Sequence, residues 1–184
     1  MRITGVLAAL LALVLSSLPA RAEELVQLPT RPGVTQPFWL LAPPGPPVGS
    51  LILFTGGNGL LNSAHRPVLD SKNFLIRMRG AFAAAGFLVA SVDAPSDHPE
   101  GLDNFRSSAE HAQDIAAVIA YLRRKAPVRV WLVGTSMGTI SAANAAARLK
   151  TGGADGLVLT SSIVAANRRT GAIDDRVDVG AIAL

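Results

Sequence analysis

Four short apolar runs, residues 50–54, 87–92, 128–133 and 156–160, constrain this chain more than any other feature. Each is five or six residues long and dominated by Val, Leu, Ile, Phe and Ala. A strand with one wet face would alternate apolar and polar residues. Near-continuous apolar runs suit strands covered on both faces, as in a parallel sheet. Helical patterns separate them. Residues 71–85 are followed by Gly86, a C-terminal stop. The next pattern opens on Ser107-x-x-Glu110, a spacing in which Ser and Glu side chains satisfy the free N–H groups of a first turn. Its stripe is Ala112, Ile115, Ala116, Ile119 and Leu122, and Pro127 bars continuation. The third, residues 137–150, is rich in Ala and precedes Gly152-Gly153. Parallel neighbours require crossovers, so this order predicts an α/β domain: a mostly parallel sheet with helices on both faces.

Upstream, residues 25–28 and 38–41 read as two short strands joined through Pro- and Gly-containing turns, an antiparallel N-terminal edge. Ala42-Pro43-Pro44-Gly45-Pro46-Pro47 suits neither helix nor inner strand and is expected as a stiff surface connection. Residues 1–22 have the form of a secretory signal: Arg2, an apolar run over residues 3–15, and a small-x-small end at Ala20-Arg21-Ala22. The competing reading is a retained anchor, but the run is short for a hydrocarbon layer of roughly 30 Å. The expectation is cleavage before Glu23, no stable membrane insertion afterwards, and a periplasmic or secreted protein. That leaves residues 23–184, a length suited to one domain.

The chain contains no cysteine, which excludes disulfides, thiolate metal sites and a lipid-bearing Cys. Its formal net charge is +4, and setting aside Arg2 and Arg21 leaves 15 basic against 13 acidic residues. The clusters Arg123-Arg124-Lys125 and Arg168-Arg169 lack interleaved aromatics and read as a helix end and a solvated loop. No nucleic-acid partner is expected.

Chemistry concentrates in Gly134-Thr135-Ser136-Met137-Gly138, which follows the run at residues 128–133 and precedes the Ala-rich helix. This is the strand–turn–helix setting in which a sharp elbow presents the Ser hydroxyl. The spacing has a steric reason: glycines two residues either side leave room for a strained Ser backbone. The helix N-terminus adds partial positive charge and free N–H groups. A second glycine-rich segment, Thr55-Gly56-Gly57-Asn58-Gly59, follows the strand at residues 50–54.

On these motifs the chain resembles the α/β-hydrolase superfamily over about residues 48–165. The resemblance implies a serine hydrolase in which Ser136 is the nucleophile. The N–H of Met137 and that of Gly57 or Asn58 would form the oxyanion hole. It also implies a small-molecule acyl substrate, carboxylic ester hydrolysis as the default reaction, and no metal or organic cofactor. Two departures stand out. Thr55 occupies a place where many members have His, and no histidine follows Ser136, although the family order is Ser, acid, His. His98, in a loop after the strand at residues 87–92, is a candidate for the pocket together with Asn58. His111 reads as structural and His65 as a loop residue before Pro67. Among the later acids, Asp155 precedes a strand, the wrong end for an active site. Asp174 and Asp175 fall in a polar loop, with Asp178 beyond them. Residues 179–184 read as the start of another strand. The expectation is therefore a C-terminally incomplete domain, with acid and base beyond Leu184. The competing class is a non-catalytic hydrolase-like binding protein. Oligomeric state is not readable.

Overall fold

The computed structural model describes residues 23–61, 71–150, 152–164, 173, 177 and 178. The segment read as a signal, His65, Arg168, Arg169, Asp174, Asp175 and residues 179–184 lie outside the described residues. The strands are β1 (Glu24–Arg31), β2 (Val34–Leu41), β3 (Gly49–Phe54), β4 (Phe87–Val92), β5 (Val130–Thr135) and β6 (Gly156–Thr160). The helices are α1 (Phe74–Ala84), α2 (Ala109–Lys125) and α3 (Gly138–Leu149), and a 3-10 turn spans Asp103–Ser107.

The strands form one sheet in the order β1-β2-β4-β3-β5-β6. β3 pairs in parallel with both β4 and β5, and β5 with β6, while β1–β2 and β2–β4 are antiparallel. The mostly parallel sheet and its antiparallel edge thus follow the expectation. β1 and β2 are longer than the apolar pattern indicates, because their half-buried register runs through polar residues to the turn at Gly33.

Side-chain alternation sorts the core into two layers. Ile52 and Phe54 of β3, Ala90 and Val92 of β4, and Leu132 of β5 face α2 and α3. Leu51, Leu53, Val89 and Val133 face Leu75, Ile76 and Ala83 of α1. Each central strand is therefore covered on both sides, as its composition requires.

Two local readings need correction. The N-cap of α2 is Ser108, whose hydroxyl accepts the His111 N–H at 3.0 Å; Ser107 closes the preceding 3-10 turn. A capping box starting at Ser107 is therefore displaced by one residue. The buried stripe of α2 is also wider and rotated: His111, Asp114 and Val118 join Ala112, Ile115, Ile119 and Leu122, while Ala116 is half-exposed. The rotation has a polar cause. Asp114 accepts from both Thr30 and Arg31, and Arg31 also forks onto Asp97, so β1 is tied to α2 and to the loop after β4. The hydrogen bonds to Asp114, then those to Asp97, raise the Arg31 pKa further. Burial pushes Asp97 up, but the hydrogen bonds and charge of Arg31 outweigh it and hold that carboxyl below its usual range.

His111 is completely buried, its ring set against Phe54 and Phe105, and among the described residues neither ring nitrogen has a hydrogen-bond partner. Burial, reinforced by the charges of Arg106, His98 and Arg31, pushes its pKa down to about 3. The unfolded chain takes up this proton near pH 6.5 and the native state does so only near 3. The contribution to stability is therefore intact above pH 6.5 and declines as pH falls toward 3, at up to about 1.4 kcal/mol per pH unit. Replacing His111 with Phe should flatten this part of the decline. Urea unfolding of both proteins across that range checks it, and parallel curves would contradict it.

Candidate active site

The topology reverses direction at β3: the chain passes from β3 to β4 on one side, then returns over β3 to β5 on the other. Open parallel sheets carry their binding crevice at the C-terminal ends of the strands flanking such a reversal. Here those ends are Thr55-Gly56-Gly57 after β3 and Ser136 after β5.

Ser136 has φ of 53°, a left-handed conformation in a residue with a side chain. Holding an L-residue there costs on the order of 1–2 kcal/mol, so neighbouring contacts must enforce it. The Ser136 N–H donates to the Thr160 carbonyl at 3.0 Å, and the Ser136 carbonyl accepts from the Thr139 N–H at 3.0 Å and its hydroxyl at 2.6 Å. These bonds pin both peptide units around Ser136 while α3 starts two residues on.

Both motif glycines are required by space. A Cβ on Gly134 would lie 2.6 Å from the Gly138 carbonyl oxygen and 2.8 Å from the Thr139 Cα. One on Gly138 would overlap the Phe54 carbonyl oxygen and come within 2.7 Å of the Thr55 carbonyl oxygen. The elbow after β5 is thus pressed directly against the end of β3. Gly56 completes the contact: a Cβ there would stand 3.0 Å from the Ser136 Cβ and 3.5 Å from its Oγ.

Residues 56–61 form a tightly held loop beside the serine. Gly57 has φ of 60°, and the Gly59 N–H closes a turn onto the Gly56 carbonyl at 3.3 Å. The Gly57 carbonyl accepts from Arg106 Nη2 at 3.1 Å, and the Asn58 carbonyl from the Leu102 N–H at 2.7 Å. Asp93, buried at the end of β4, accepts the Leu61 N–H at 2.6 Å and the Ala94 N–H at 2.9 Å.

No protein-family model and no curated protein matches the chain. Solved structures do. A thermostable carboxyl esterase from Bacillus coagulans is similar at 21% identity over 78% of this chain and 46% of its own, with a TM-score of 0.56. A serine hydrolase without a lid from Xanthomonas campestris has 17% identity over 82% of this chain and 65% of its own, with a TM-score of 0.55. An α/β hydrolase from Penicillium has 18% identity over 79% of this chain and 48% of its own, with a TM-score of 0.58. The chain has the α/β-hydrolase fold. It spans about half to two thirds of the length of these three structures.

Within this α/β-hydrolase frame, the sheet reversal brings Ser136 and the Gly56–Gly57 segment together, with Met137 at the N-cap of α3. The side chain of Asn58 is exposed and its Oδ1 accepts the Leu60 N–H at 3.2 Å, so it shapes the loop. His98 stacks on Phe105 with ring centroids 3.8 Å apart. Among the described residues, no hydrogen bond joins it to Ser136. Asp155 lies immediately before β6, at the opposite end of the strands from Ser136, accepting from the Val130 N–H and Arg123. Burial raises its pKa, but these hydrogen bonds and the Arg123 charge prevail and lower it. Asp178 is exposed.

Two residues beneath the site escape sequence reading. Asp93 carries a positional signal, since it ends a buried strand on the active edge. Arg106 carries none, because its local sequence resembles any polar loop.

The steric account predicts an ordering of alanine substitutions. Gly138→Ala forces a methyl into the β3 backbone and should destabilise by about 1–3 kcal/mol or more. Gly33 has φ of 71° with no described residue near its missing Cβ, so Gly33→Ala should cost only about 1 kcal/mol. Chemical denaturation of the two variants compares them directly; equal losses would contradict the close-packed elbow.

Proposed function

We propose that the protein is an exported serine hydrolase that cleaves a carboxylic ester or related acyl bond of a small molecule through an acyl-enzyme on Ser136. The left-handed backbone of Ser136, at a glycine-flanked elbow where α3 begins, carries this reading. It supports a hydroxyl held at the crevice, with the loop after β3 close enough to share the bound acyl group.

In the proposed reaction Ser136 Oγ attacks the acyl carbon while its proton passes to a general base. The carbonyl electrons move onto oxygen, where the N–H of Met137 and that of Gly57 or Asn58 would stabilise the charge. Collapse expels the alkoxide, which recovers the proton, and water then releases the acid from Ser136 by the same steps. Burial keeps His111 neutral and walled in by Phe54 and Phe105, and His98 is stacked on Phe105, so neither is assigned as base. The base and its orienting acid are assigned to parts of the protein outside the described residues. No metal or organic cofactor has a role in this reaction, and neither nucleic acid nor stable membrane insertion is part of the reading.

An activated fluorophosphonate should label the complete protein on Ser136. Ser136→Ala should abolish labelling and lower turnover of a p-nitrophenyl ester by several orders of magnitude. Labelling that survives this substitution would contradict the assignment. A protein that neither labels nor turns over ester would instead fit a non-catalytic binding role.

A further inference from the structure

Arg106 is completely buried, an unusual setting for a guanidinium, and it lies outside every motif read from the sequence. Its side chain bridges two elements of the site. Nη2 donates to the Gly57 carbonyl at 3.1 Å and Nη1 to the Ser141 hydroxyl at 2.9 Å. Ser141 sits on α3, the helix that starts just after Ser136. One planar group therefore joins the loop after β3 to the nucleophile's helix.

We propose that Arg106 is a positioning residue of the oxyanion loop, orienting the Asn58 N–H toward the reacting acyl oxygen through the Gly57 carbonyl of the same peptide. This role rests on the hydrolase reading of Ser136 and on peptide geometry. In a planar trans peptide the C=O and N–H point in opposite directions. Holding the Gly57 carbonyl on buried Arg106 fixes the Asn58 N–H away from the guanidinium. The Gly56 carbonyl, closed onto the Gly59 N–H, fixes the Gly57 N–H in the same manner. Both candidate donors are thus set from their carbonyl sides, in a loop whose first glycine touches Ser136.

Charge adds to geometry. A cation on the Gly57 carbonyl polarises that peptide and makes the Asn58 N–H a better donor. The loop is also shaped to admit the side chain: a Cβ on Gly59 would lie 2.8 Å from Arg106 Nη2 and 2.6 Å from Leu102 Cδ1. Lysine retains the charge but lacks the rigid fork that reaches both partners.

The test uses the complete protein, with end-point fluorophosphonate labelling to count active sites. Per labelled site, Arg106→Lys should lower kcat by about tenfold to a hundredfold, short of the roughly 10²–10³-fold for losing an oxyanion donor itself. KM should stay within about threefold, and the inhibition constant of phenylboronic acid, which forms a tetrahedral adduct, should rise by the factor by which kcat falls. Unchanged kcat per labelled site, whatever happens to the melting temperature, overturns the proposal. Arg106→Met, which removes both charge and fork, should lower kcat per labelled site at least as far; should it fail to fold, Arg106→Lys carries the comparison. If the wild-type protein neither labels nor turns over ester, the hydrolase reading itself fails. Amide hydrogen exchange at Gly59 and Leu102, whose N–H groups are bonded to the loop's carbonyls, then decides the clamp: about tenfold faster exchange in Arg106→Lys supports it, and unchanged exchange overturns it.

Discussion

Ser136 takes its left-handed conformation where two glycine-bearing segments meet, and the rest of the site depends on that contact. Gly138 lies against the carbonyls of Phe54 and Thr55, and Gly56 lies against Ser136 itself. Gly138 leaves no room for a side chain, and at Gly56 even a methyl would press on the Ser136 Cβ. Because β3 and β5 are hydrogen-bonded neighbours, with Phe54 opposite Gly134, the register of the sheet fixes how the two segments meet. A slip of one residue would exchange the two faces of β5 and separate the elbow from the loop. Strand pairing, core packing and site geometry are therefore one constraint.

The second condition is satisfaction of buried polar groups. The loop after β3 turns its carbonyls inward, where Gly59, Arg106 and Leu102 supply donors in succession. Asp93 takes the N–H of Leu61 at the far end of the loop. Unmet backbone groups here would each cost on the order of 1–3 kcal/mol. The buried guanidinium thus contributes to loop conformation as well as to the electrostatics of the crevice. His111 shows the opposite solution: surrounded by Phe54, Phe105 and nearby positive charge, it remains neutral.

Much of this was legible in the residues. Continuous apolar runs marked β3 and β4 almost to the residue, since strands covered on both faces leave no alternative composition; the run at β6 marked its strand too, but there Val158 is exposed rather than covered. The β5 boundary moved by two residues, because strand pairing continues through Gly134 and Thr135, which have no apolar signature. The cap of α2 moved by one because Ser107 and Ser108 are adjacent and only the 3-10 turn decides between them. Asp114 and His111 enter the buried face through contacts with β1 and with Phe54, which are distant in sequence. Arg106 was invisible for the same reason: its burial comes from Gly57, Gly59 and Ser141, and no local pattern announces a residue defined by remote partners.

The central claim is that Ser136 and the loop after β3 together form an acyl-transfer site. A crystal structure of the complete protein with phenylboronic acid measures this most directly. The account predicts a bond from boron to Ser136 Oγ, with one boronate oxygen about 2.7–3.1 Å from the Met137 nitrogen and from the Gly57 or Asn58 nitrogen. A boronate bound away from Ser136, or one whose oxygens point away from both segments, would contradict it.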